Sequence, residues 1–285
     1  KKYTDGVPAR LRVALPAGAA ISGYVPKAAT GFQVKAQDMP RGTICKEMAP
    51  DHVVRSSITE LANIGGAYII VSSKGSISDR SLKDRKAAMA EAVEAVPSAS
   101  SLTLDFYDCR RIASWVNQHP GLVPWVREKL GLPLSGWRPF EDWSSSPASE
   151  DAPYFLDEQI RLIGPSITEV EGLNGEQALS KLRDCLAEPR GVIRLAGLSG
   201  VGKTRLIQAL FDDRIGSGAL PRSDALYTDI SDEPDPVPQE MLSRLITMGH
   251  RAVMIVDNCG IDLHRKLAAK IAYANCLLSV ITVEY

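Results

Sequence analysis

The chain has 285 residues, a net charge of −1, and 45% apolar residues. That balance excludes a disordered polar chain, and no uninterrupted apolar run approaches the roughly 18 residues that a bilayer span requires, so no membrane association is expected. The five cysteines are odd in number and lack C-x-x-C spacing, and the four histidines form no H-E-x-x-H, which argues against a disulfide framework and against zinc.

In chain order, Asp5-Gly6 precedes a first expected strand, Arg10 to Leu15, and a second strand runs from Gly31 to Ala36. The second contains Gln33-Val34-Lys35. Residues two apart on a strand share a face, so Gln33 and Lys35 are expected to serve one site while Val34 enters the core. Phosphodiester hydrolysis needs a metal to neutralise the phosphate and a group to position water. Asp5 with Gln33 is the candidate pair for Mg²⁺, and Lys35 is the candidate for steering the nucleophile. On spacing alone, an ordinary surface strand explains Q-x-K as well. A helix over Ser56 to Asn63, a buried strand over Ala67 to Ser72, a helix over Lys83 to Val96 and a strand over Leu102 to Phe106 follow. Helices over Arg110 to Gln118 and Leu122 to Leu130 close a compact α/β domain, residues 1–130. This part carries 18 basic and 12 acidic residues, a net of +6, against 15 and 22, a net of −7, in the remainder. The asymmetry suits a first domain that approaches a polyanion; solvated surface charge without a partner is the other reading.

Residues 131–165 lose periodicity and fill with Trp, Pro, Ser and acid, which reads as a linker whose tryptophans dock on a domain surface. Residues 166–285 form the second domain. A helix from Gly175 to Leu186 ends at Pro189-Arg190-Gly191, and the apolar strand Val192 to Ala196 leads into Gly197-Leu198-Ser199-Gly200-Val201-Gly202-Lys203-Thr204. This octapeptide fits G-x-x-x-x-G-K-[ST] and is followed by a helical pattern from Lys203 to Phe211. A Gly-rich turn can point successive N–H groups at a triphosphate because no Cβ blocks the approach. Lys203 is expected on the β- and γ-phosphates and the Thr204 hydroxyl on Mg²⁺; the adjoining Arg205 is counted with the site.

Such a loop needs a carboxylate at the end of a neighbouring buried strand, and Ala252 to Asp257 supplies one, making Asp257 the expected catalytic acid and Mg²⁺ partner. Asn258 follows where many such ATPases carry a second acid; an amide cannot take a proton from water, so slow hydrolysis is expected. Strands over Ala225 to Ile230 and Leu277 to Val283 complete a doubly wound parallel sheet, with Thr282 and Glu284 at an end where the γ-phosphate could be sensed.

Two resemblances rest on these residues. Asp5-Gly6, Thr30-Gly31-Phe32-Gln33-Val34-Lys35-Ala36 and Ala67-Tyr68-Ile69-Ile70-Val71-Ser72-Ser73 resemble the Mrr-like branch of the restriction-endonuclease fold. There Gln replaces the usual acid, which implies Asp5, Gln33 and Lys35 as the catalytic set of a Mg²⁺-dependent DNA endonuclease. Such proteins often read Asp-Gly-Gly-x-Asp, whereas this chain reads Asp5-Gly6-Val7-Pro8-Ala9, with Pro8 in the place of a second acid. The segment from Gly197 through Asp257 to Glu284 is similar to the signal-transduction ATPases with numerous domains, the NACHT and NB-ARC types. Their combination resembles the bacterial antiviral proteins called Avs. It implies ATP binding, homo-oligomerisation on activation, a phage-protein trigger read by a missing carboxyl-terminal sensor, and DNA as the effector's substrate. A non-catalytic nucleic-acid or protein-binding module on a regulatory ATPase is the alternative. The chain carries no recognisable secretory signal and ends directly after a strand, so a cytoplasmic protein and a fragment of something longer are expected.

Overall fold

The computed structural model describes residues 9–12 (backbone only), 23–144, 161–164, 172–273 and 275–284. It is a mixed α/β structure that divides into two compact units, Lys1–Trp115 and Val116–Tyr285. No helix among the described residues is long and apolar enough to cross a membrane.

Unit 1 is built on a four-stranded sheet in the order β1 (Ala9–Arg12), β2 (Ala29–Lys35), β3 (Ala67–Ser72), β4 (Thr103–Tyr107), antiparallel between β1 and β2 and parallel thereafter. Every residue of β3 is buried, because apolar side chains project from both of its faces and both are covered. On one face, α1 (Arg41–Met48), α2 (Ser56–Asn63) and α3 (Asp79–Ala92) bury Ile44, Met48, Ile58, Leu61 and Met89 against Tyr68, Ile70 and Phe106. On the other, Ile69, Val71 and Tyr107 pack with Tyr24, Phe32 and Ile112 of α4 (Cys109–Asn117). Two details depart from the sequence pattern. Helix α1 was not expected, since its only buried apolar pair, Ile44 and Met48, leaves a faint stripe. Helix α3 starts at Asp79 instead of Lys83, because the Ser78 hydroxyl accepts from the Ser81 amide and caps it there.

Unit 2 opens earlier than the expected boundary near Leu130, with α5 (Val123–Lys129), and draws a strand, β5 (Trp137–Pro139), and a short helix, α6 (Phe140–Ser144), from the segment read as a linker. Trp137 is buried and donates from Nε1 to the Pro236 carbonyl at 2.8 Å, while Trp143 stacks on Tyr227 with centroids 4.6 Å apart. The tryptophans do dock, and one of them carries a strand into the sheet.

The remaining elements are α7 (Gly175–Ala187), β6 (Val192–Ala196), α8 (Lys203–Ala209), β7 (Ala225–Asp229), α9 (Pro238–Met248), β8 (Ala252–Asp257), α10 (Ile261–Tyr273) and β9 (Leu278–Glu284). The strand order is β5-β7-β8-β9-β6, with β5 antiparallel and the other four parallel. Helices α7 and α8 cover the face that carries Leu195, Tyr227, Ile255 and Val283; α9 and α10 cover the face that carries Leu226, Met254 and Val280. The sheet is therefore mixed, not wholly parallel. Strand β9, last in sequence, lies between β6 and β8.

Candidate functional site

The Gly197–Thr204 loop leaves the carboxyl end of β6 and enters α8, at the sheet edge where open parallel sheets present their ligand-binding crevice. Gly200 and Gly202 take φ of 82° and 88°, a left-handed backbone that side chains disfavour. A Cβ at either would meet nothing within 4 Å, so the demand for glycine is conformational here and the loop is open above. Gly197, Leu198, Ser199 and Gly200 are exposed and Val201 is half-buried. Lys203 is 6% exposed and its Nζ donates to the carbonyls of Gly197 at 2.6 Å and Leu198 at 2.7 Å, so the ammonium spans the loop it would serve. Thr204 and Arg205 follow on the first turn of α8, both half-buried.

Helix α8 ends at Ala209, not at Phe211 as its pattern suggested. Buried Arg183 of α7 donates to the carbonyls of Ala209, Leu210, Asp212, Ile215 and Ser217 at 2.7–3.1 Å. One guanidinium thus satisfies the helix end that would otherwise be left orphaned.

Asp257 ends β8 and is 3% exposed. Its Oδ2 accepts from the Tyr227 hydroxyl at 3.1 Å and its Oδ1 from the Asn258 amide N–H at 2.9 Å. Burial, reinforced by the Asp257 charge, pushes the Tyr227 phenol far up, which keeps it a neutral donor. Because β9 intervenes, β8 is not the immediate neighbour of β6. Asp257 belongs to the strand one further along, about 10 Å from the loop strand at the usual spacing.

Asn258 adopts φ of 52°, and its side-chain amide donates to both oxygens of Asp229 at 2.8 and 2.9 Å. Asp229 ends β7 in register with Asp257. Burial would raise the Asp229 carboxyl, but hydrogen bonds from Ser231 and Asn258 and the Arg138 charge outweigh it, so the group is held below its ordinary range. Neither Tyr227 nor Asp229 was picked out from the sequence. The signal for Asp229 was its position at the carboxyl end of an apolar strand, and for Tyr227 its place two residues earlier on the same face.

Thr282 and Glu284 lie on the opposite face. Thr282 is fully buried and bonded to Nδ1 of His264 on α10 at 2.8 Å, and Glu284 pairs with Arg194. They face α10, away from the α8 side on which Tyr227 and Asp257 meet.

In unit 1, Asp5 lies outside the described residues. Gln33 and Lys35 share a face as expected, but the third member of the run does the reverse of what alternation suggested: Val34 is 67% exposed and Gln33 is 6% exposed. The outer position falls to the apolar residue because α1 covers the Gln33 face. From α1, Glu47 accepts from Gln33 Nε2 at 3.1 Å, pairs with Lys35 Nζ at 2.9 Å, and pairs with Arg55 Nη2 at 3.3 Å. Arg55 Nε also donates to the Glu47 carbonyl at 2.6 Å. Beside this cluster the buried Tyr68 hydroxyl has no hydrogen-bond partner among the described residues. Glu47 has no signature in sequence, being on a weakly patterned helix.

Among the described residues no three His, Cys, Asp or Glu side chains gather as a metal cluster. A cleft of about 490 Å³ in unit 2, lined by residues that include Glu128, Trp137, Arg138 and Asp232, holds none of the expected site residues. No protein-family model matches the chain, and no curated protein matches it either.

Proposed function

We propose that unit 2 is a P-loop nucleotide-binding module that takes ATP with Mg²⁺. The observation that carries this reading is the loop itself: two glycines in left-handed backbone, open space above them, and a lysine folded across the loop onto its own carbonyls. Residues Gly197 to Arg205 would line the phosphates, whose negative charge the N–H groups and Lys203 offset. The donors available to Mg²⁺ are hard oxygens, the Thr204 hydroxyl and the Asp257 carboxylate, and they fit that ion better than zinc or iron. Bound there, Mg²⁺ would neutralise charge between the β- and γ-phosphates. Tyr227 fixes the Asp257 carboxylate in one rotamer.

For the whole chain we propose a cytoplasmic ATP-dependent switch with an attached DNA endonuclease in antiviral defence, homo-oligomeric when active and triggered by a phage protein. Support for the nuclease is the Mrr-like resemblance together with the pairing of Gln33 and Lys35 on one face. Its metal is a different matter: Gln33 donates to Glu47 from Nε2 and keeps only Oε1 for a metal, and the Glu47 carboxylate is engaged by Lys35 and Arg55, so these residues do not by themselves make a Mg²⁺ site. A second reading draws on the same cluster. Glu47 occupies both Gln33 and Lys35, and that closed arrangement favours a non-catalytic DNA- or protein-binding module.

Equilibrium binding of labelled ATP with Mg²⁺ to the full chain tests the nucleotide reading. Lys203→Ala is expected to weaken binding by about 100-fold while circular dichroism stays native, since the carbonyls it releases are in an exposed loop and can turn to water. Equal affinity in the two proteins would overturn it.

A further inference from the structure

The amide at Asn258 sits where the nucleotide reading calls for an acid, and the structure shows what that amide does. It holds Asp229, donating to both carboxylate oxygens at 2.8 and 2.9 Å. Ser231 adds two more donors to Oδ1, its N–H at 2.8 Å and its hydroxyl at 2.6 Å. Three of these four bonds fall on Oδ1, so Oδ2 keeps lone-pair capacity after its single bond to Asn258. Asp229 is in register with Asp257, so the two side chains leave adjacent parallel strands on the same face, one strand spacing apart, ~4.8 Å.

We infer that Asp229 is the water-orienting carboxylate of the nucleotide site, supplied from β7 and positioned by Asn258, in place of the acid absent after Asp257. This rests on the reading of unit 2 as an ATP site. In the step assigned to it, a water molecule donates one O–H to Asp229 Oδ2 and attacks the γ-phosphorus. The new bond joins water oxygen to phosphorus; the bond from phosphorus to the β–γ bridging oxygen breaks, and its electron pair leaves with ADP. The water proton passes to Asp229 and then to solvent. A carboxylate can accept that proton, whereas the neutral Asn258 amide cannot.

The pair is an acid that ends β7 and an amide that directly follows the adjacent strand β8, so it can be exchanged. Phosphate release and MgATP binding are measured on the full chain for the original sequence, Asp229→Asn and the double variant Asp229→Asn/Asn258→Asp. The expected result is a loss of turnover on the order of 100-fold in Asp229→Asn with MgATP affinity kept within about threefold, and partial recovery in the double variant, where the carboxylate returns from the neighbouring strand. Unchanged turnover in Asp229→Asn overturns the assignment. So does an original chain that binds MgATP without hydrolysing it, a parallel loss of binding and turnover, or a double variant as inactive as the single one. Failure of the original chain to bind MgATP is a separate result, which removes the nucleotide reading and the inference with it.

Discussion

Asp224, at the entry to β7, shows how one buried carboxyl links stability to pH. It is 7% exposed, Arg251 Nε lies 3.6 Å away, and burial pushes its carboxyl up to about 6, with the Arg251 charge pulling the other way. A carboxyl raised above its unfolded value, about 3.9, stabilises the fold while protonated; that contribution is complete below about pH 4 and is lost as pH rises through 6. Asp212, held down by its hydrogen bond from Arg214, and Asp229 work in the opposite sense and only below the ordinary carboxylate range, so the windows do not overlap. Asp224→Asn is therefore expected to match the original chain near pH 4 and to exceed it by about 1–3 kcal/mol above pH 6, less what the Arg251 pair contributed. Urea unfolding at several pH values measures this, and curves that stay parallel from pH 4 to 7 would exclude it.

Among elements, α7 and α8 depend on one another through Arg183. Its five bonds run to carbonyls at the end of α8 and in the turn beyond it, and its 3% exposure leaves little water to take its place. Arg183→Met keeps the packing volume but orphans buried acceptors, so a loss of about 2–4 kcal/mol is expected in chemical unfolding. Hydrogen exchange in α8 should rise with it; a loss under 0.5 kcal/mol, a threshold of about one surface substitution, would show that water serves these carbonyls instead. Strand order likewise assembles the proposed nucleotide site. Order β7-β8-β9-β6 brings the ends of strands far apart in sequence to one edge, and the alternation within each strand sorts them: Tyr227, Asp229 and Asp257 to the α8 face, Thr282 to the α10 face.

For the molecule as a whole, charge follows the division into units. Up to Trp115 the chain has 16 basic and 11 acidic residues, and beyond it 17 and 23. On the proposed reading, a polyanion partner for unit 1 and a triphosphate for unit 2 make two separable lesions. Lys35→Ala is expected to abolish metal-dependent plasmid cleavage by the full chain while leaving MgATP binding intact and stability within about 1 kcal/mol, because the ion pair it removes is partly exposed. Cleavage that survives Lys35→Ala would favour the binding-module reading of unit 1.

The sequence by itself determined the local features. The helix over Ser56–Asn63 and the strands over Ala67–Ser72, Val192–Ala196 and Ala252–Asp257 stand at the bounds their patterns indicated, because apolar period and glycine turns act within a few residues. The loop from Gly197 to Thr204 was legible for the same reason. Only the tertiary structure decided that β9 separates β6 from β8, that Trp137 carries a fifth strand into the sheet, that Glu47 meets Gln33 and Lys35, and that Asn258 clasps Asp229. Those pairings join residues 12 to 99 positions apart. They are fixed by strand order and by which face each helix covers, and no short-range pattern of side chains encodes either one.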